Sequence, residues 1–170
     1  MLARVFVVIV FSLAAHPALA APQIWGLEAV QFDDGGIATG FIEIDSVTGN
    51  LLDFNIRVEG GNEGVFPNSA YSAGSVVSQR MQINAHPVDS FVFSGGDGDV
   101  QTILRLTPVA NLETQAGRVN LDTGFADGNV ECLDCSPFRL IVAGSLVNLL
   151  FEDGFEGSPA GDGGGDDGDG

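Results

Sequence analysis

Apolar and polar side chains alternate along much of the chain. Leu52, Phe54, Ile56 and Val58 interleave with Asp53, Asn55, Arg57 and Glu59. Successive side chains of a strand point to opposite faces, so this run predicts a strand with one face buried and one wet. Ala38, Gly40, Ile42 and Ile44 interleave with Thr39, Phe41, Glu43 and Asp45 in the same way. The small residues at 38 and 40 predict a tight spot or sharp curvature on that face. Over residues 23–32, Trp25 and Leu27 share one face while Val30 and Phe32 share the other. That switch predicts a bulge near Ala29. Further strands are predicted at 76–84, with Val77, Met81 and Ile83 on one side, and at 88–94, carrying Phe91 and Phe93. Another spans 100–106 and aligns Val100, Thr102, Leu104 and Leu106, and a short one includes Val119 and Leu121. Residues 138–150 are apolar on both faces, the mark of a central or long, bent strand.

Turn residues separate these runs. Asp34-Gly35 lies between the first two, and Asp-Gly is a favoured pair for a two-residue hairpin. Thr48-Gly49-Asn50 precedes the third, and Gly95-Gly96-Asp97-Gly98 divides the fifth from the sixth. Short links imply antiparallel neighbours. No helical period is evident, and residues 110–116 hold one turn at most. The expected fold is all-β: an antiparallel meander of about eight strands. A curved barrel is favoured over a two-sheet sandwich, because the opening strands look sequentially connected.

The ends differ from the body. A basic start at Arg4, an apolar run over 5–15 and the small-x-small site Ala18-Leu19-Ala20 read as a signal peptide at 1–20. Residues 21–151 then form one β-domain, long enough to bury a core. Residues 152–170 end almost entirely in Gly and Asp, and are expected to be a disordered acidic tail. The expected location is periplasm, cell surface or medium. No segment of the mature chain is long and apolar enough to span a membrane.

Charge narrows the partners. The chain has 23 acids, six arginines and no lysine, for a formal net charge of −17. Such a surface repels phosphate backbones and anionic lipid, which excludes nucleic acid. Calcium or an extracellular polymer remain as candidate partners.

One segment resembles a known family. Trp25, then Phe32-Asp33-Asp34-Gly35-Gly36-Ile37-Ala38-Thr39-Gly40, then Ile42, Ile44, Asp45 and Thr48-Gly49 resemble the β-rich exported domain of PEP-CTERM proteins of gram-negative bacteria. Arg139-Leu-Ile-Val-Ala-Gly144-Ser145-Leu146 is similar to its closing strand. The match covers residues 24–60 and 138–146; the middle agrees only in being strand-rich. The sequence departs from that family in lacking a Pro-Glu-Pro signal, a transmembrane helix and a basic end. Residues 150–156 are instead similar to a Phe-x-Asp-Gly-Phe-Glu ending of other exported bacterial proteins. The resemblance implies export and a β-domain, and it brings no catalytic residues.

Few residues suggest chemistry. His86 is the one histidine left after cleavage, and no Gly-x-Ser-x-Gly elbow accompanies it. It is expected in an exposed loop beside Pro87. Cys132-Leu133-Asp134-Cys135 is expected to be a local disulfide, as suits an exported chain. Bridged Cα atoms lie about 4.4–6.8 Å apart, so Leu133-Asp134 must then turn. Asp33 with Asp34, Asp97 with Asp99, and the tail offer carboxylates for calcium, although neither a nonapeptide repeat nor an EF-hand frame is present. Trp25, Phe41, Phe66 and Tyr71 would line a pocket if a barrel closed around a ligand. The sequence thus favours a non-catalytic exported β-domain with a structural, cell-surface or extracellular-matrix role. The alternative is a small-ligand or calcium-binding β-barrel. An enzyme ranks last, since acids alone would have to do its chemistry.

Overall fold

A computed structural model describes residues 21–95 and 100–152. The predicted signal peptide at 1–20, residues 96–99 with Asp97 and Asp99 where a turn is predicted, and the predicted tail beyond 152 lie outside the described residues. The described residues form ten strands: β1 (Pro22–Phe32), β2 (Ile37–Asp45), β3 (Leu51–Glu59), β4 (Ser69–Ser72), β5 (Val77–Met81), β6 (Ser90–Gly95), β7 (Thr102–Leu106), β8 (Arg118–Asn120), β9 (Val130–Leu133) and β10 (Phe138–Asn148). A short helix, α1 (Leu149–Glu152), follows.

Nine strands form one antiparallel path, β4-β3-β2-β1-β10-β9-β7-β6-β5, and β8 adds to β10. The sheet curls into a half-barrel, as the alternation foretold. Hairpins join most sequence neighbours, and the first strand pairs with the last. The sheet stays open between β4 and β5, where a single bridge, Ala73 to Val76, connects the edges. Across that gap the walls meet through side chains. Phe93 of β6 lies 4.8 Å from Phe54 of β3 and 6.4 Å from Tyr71 of β4, centroid to centroid.

β10 is both central and bent, which explains its two apolar faces. It pairs with β1 along most of its length, with β9 through Phe138–Leu140 and with β8 through Ser145–Val147. The expected bulge in β1 is present. Pairing with β2 jumps from Gly26 to Val30, and Ala29 takes a φ of 49°. The extra residue re-phases the strand, so Trp25, Val30 and Phe32 all reach the core.

Three expectations need correction. Leu52 was expected inside but is 53% exposed, while Phe54, Ile56 and Val58 are buried. The β2–β3 register steps from Glu43↔Asp53 to Ile44↔Leu51, and the skipped Leu52 is turned out of the sheet. Val77 and Met81 were expected to share a buried face, yet they are 72% and 40% exposed. β5 instead turns Arg80 inward. Its guanidinium donates to Glu113 Oε1 at 3.0 Å and to the Gly49 carbonyl at 3.0 Å, tying this edge strand to the β2–β3 turn. Val100 lies before β7 and is 46% exposed. Two strands, β4 and β9, had no counterpart in the alternation; both have only four residues.

Gly40 marks the predicted tight spot. Its φ is +120°, and a Cβ there would collide with the Asn55 carbonyl oxygen of β3. Gly40→Ala is expected to destabilise the domain by about 1–3 kcal/mol, because alanine meets both strain and backbone. Urea unfolding would measure it; an unchanged midpoint would show that β2 and β3 can separate freely there.

Candidate functional site

The interior holds one buried ionic network, and the sheet register creates it. Glu131 on β9 and Arg139 on β10 are directly paired and both face inward. Each is only 1% exposed. Arg139 Nε donates to Glu131 Oε2 at 2.7 Å, and Nη2 makes an ion-pair contact with the same oxygen at 2.6 Å. Tyr71 reaches across from edge strand β4 and donates its hydroxyl to Glu131 Oε1 at 2.7 Å. At the other end, Arg139 Nη1 donates to Asp34 Oδ2 at 3.0 Å and to the Gly60 carbonyl at 3.2 Å. The guanidinium lies 4.5 Å from the Phe32 ring centroid and 4.8 Å from that of Phe66. A cation between two ring faces gains from both quadrupoles while water is kept away.

Asp34 sits in the β1–β2 turn at the predicted position, although the link there spans four residues, 33–36, and not two. Its Oδ1 accepts the Gly36 N–H at 3.0 Å and its Oδ2 the Asn62 N–H at 3.0 Å. Gly36 leaves the space Arg139 needs, since a Cβ there would stand 2.5 Å from Nη1. Burial opposes ionisation of Asp34, but the Asn62 and Gly36 N–H groups and then Arg139 outweigh it, so its pKa falls below the usual value. Burial, then the charge of Glu131, drives the Tyr71 pKa upward, so Tyr71 remains a protonated donor. The network therefore ties edge strand β4 to β9, which it does not pair with, and adds side-chain links among β9, β10 and the β1–β2 turn.

The Asp34 shift has a sign. Its folded pKa is lowered, so its contribution is complete above the unfolded pKa and is lost as pH falls through the folded value. The melting temperature is expected to drop on acidification below about pH 4, the ordinary aspartate range. The drop should be smaller in Asp34→Asn, which begins less stable; equal acid slopes for the two chains would remove Asp34 from this role.

The other candidate residues lie elsewhere. Cys132 and Cys135 are at disulfide-bonding distance, with Cα atoms 4.5 Å apart. The chain turns between them as required, with positive φ at Asp134 and Cys135. Cys132 follows Glu131 on β9 and faces the opposite side of the sheet. There an outer groove of about 410 Å³ is lined by Arg105, Val130, Cys132, Phe138 and Leu140 among others. His86 is half-buried, not exposed. Its ring stacks on Phe125 at 4.4 Å, Nε2 lies 3.2 Å from Asp122 Oδ2, and Nδ1 lies 2.8 Å from the Val88 carbonyl. Both ring nitrogens thus have partners, and neither partner is a hydroxyl nucleophile.

Asp33 and Asp34 diverge. Asp33 Oδ1 accepts the Leu140 N–H at 3.1 Å, while Asp34 serves Arg139. Among the described residues no group of three His, Cys, Asp or Glu side chains is placed to hold a metal ion. Trp25, Phe66 and Tyr71 are core residues, and Phe41 is half-buried on the sheet.

The chain matches no family model, no curated protein and no solved structure.

Sequence reasoning missed the network. In the sequence Arg139 stands only as the first residue of the segment similar to a closing strand, within a run read as apolar on both faces. A cation inside a doubly apolar strand is itself a signal, because a buried charge demands a partner.

Proposed function

We propose that this chain is a non-catalytic exported β-domain that acts through its outer surface, in a structural, cell-surface or extracellular-matrix role. The observation that carries the reading is a filled interior. Trp25, Ile42, Ile56, Phe93 and Leu104 are fully buried inside the curl, and the Arg139 network occupies the space left between its walls. Ligand-holding barrels leave that space to a guest. The acids nearest a catalytic arrangement, Glu131 and Asp34, are committed to Arg139 at 2.7 Å and 3.0 Å. A hydrogen-bonded network of this kind stiffens a fold, and it holds both carboxylates against a fixed cation. The likeness of residues 24–60 and 138–146 to an exported domain supports the same reading, as does the signal-like start.

The test uses the mature chain. It is expected to co-sediment with extracellular polysaccharide from the producing cells. Its melting temperature should stay unchanged with calcium or with a panel of small apolar ligands. A ligand-induced melting shift accompanied by a change in Trp25 emission would replace this reading with the ligand-binding one.

A further inference from the structure

At one end of the β1–β10 seam, three buried polar atoms lack hydrogen-bond partners: Trp25 Nε1, Asn148 Nδ2 and Gln23 Oε1. The register brings their residues to one place. Trp25 is paired directly with Asn148, and Gln23 precedes Trp25 by two residues on the same face of β1. Trp25 and Asn148 are both 0% exposed. The orientation of the Asn148 amide is fixed by its other end, where Oδ1 accepts the Leu150 N–H at 3.1 Å. Its Nδ2 must therefore point elsewhere as a donor. The neighbours across β2 are Ile42 and Ile44, which offer no polar side chain.

Two donors and one acceptor on adjacent positions are the complement of a single water molecule. Water accepts twice and donates twice, and buried waters typically make about three hydrogen bonds to otherwise unpaired groups. We infer that this chain holds an internal water at this end of the β1–β10 seam. It accepts from Trp25 Nε1–H and Asn148 Nδ2–H and donates to Gln23 Oε1. The site stands apart from the Arg139 network and does not depend on the proposed function. Its structural role is to let a polar pair sit in the seam where the first strand meets the last, since an unpaired buried donor is costly.

Trp25 is the single tryptophan of the chain, so its indole N–H is an unambiguous probe. Nuclear magnetic resonance on the full chain, labelled with nitrogen-15 at the indole, should show an Overhauser contact between Hε1 and a long-lived water. Gln23→Met removes the acceptor at similar length and is expected to abolish that contact. Gln82→Met, at an exposed residue, should leave it intact. A native chain without a water contact at Hε1, or with Hε1 bonded directly to the Gln23 amide, would overturn the inference. So would an undiminished contact in folded Gln23→Met. If that variant does not fold, the native spectrum alone decides.

Discussion

Arg139→Met lowers the unfolding free energy by about 3–5 kcal/mol, the cost of breaking a buried pair from one side. The size follows from what is left behind. Glu131, only 1% exposed, would keep the Tyr71 hydroxyl and lose its cation. Asp34 would lose its link to β10 as well. Urea unfolding followed by Trp25 fluorescence measures the effect. Arg118→Met is the control. Arg118 pairs with Glu28, but their side chains are 53% and 42% exposed, so its loss should cost about 1 kcal/mol or less. Replacing Glu131 by Leu in the Arg139→Met background should recover part of the loss, because an apolar pair needs no desolvated charge. Equal costs for Arg139→Met and Arg118→Met would mean that the network contributes no more than a surface contact.

Phe93→Ala is expected to cost about 3–5 kcal/mol, as for other large aromatic truncations in cores. Phe93 is 0% exposed and touches both Phe54 and Tyr71 across the opening. A closed barrel would hold those walls with backbone hydrogen bonds. Here the walls rely on side chains, and the cavity left by Phe93 borders the Tyr71–Glu131 bond. Phe138→Ala, at a residue 61% exposed on the outer face, should stay within about 0.5 kcal/mol. A Phe93→Ala loss no greater than that of Phe138→Ala would show that the half-barrel stays closed without this packing.

The sequence made the strands legible wherever one face was apolar and the other polar. Phe54, Ile56 and Val58 follow that rule, and the bulge at Ala29 was readable because the apolar phase slips there. Leu52 was not, since a register step depends on the partner strand and leaves no mark on its own. β5 misled for an electrostatic reason. Burying Val77 and Met81 would have put Arg80 in solvent, away from Glu113 and the Gly49 carbonyl. β4 and β9 are too short for alternation to show. The network was hidden by distance along the chain: Arg139 finds Glu131 eight residues back, but Asp34 lies 105 residues away. Only the folded register brings three such positions together.

Placing β10 at the middle of the path has a consequence for the order of assembly. Of the ten strands it is the last to be synthesised, yet β1, β8 and β9 all wait for it. A nascent chain that has not reached residue 138 holds two unjoined hairpin stacks with exposed apolar faces. Contacts of such long sequence separation form late. The two halves of the sheet thus become a single sheet only when the C-terminal strand is delivered.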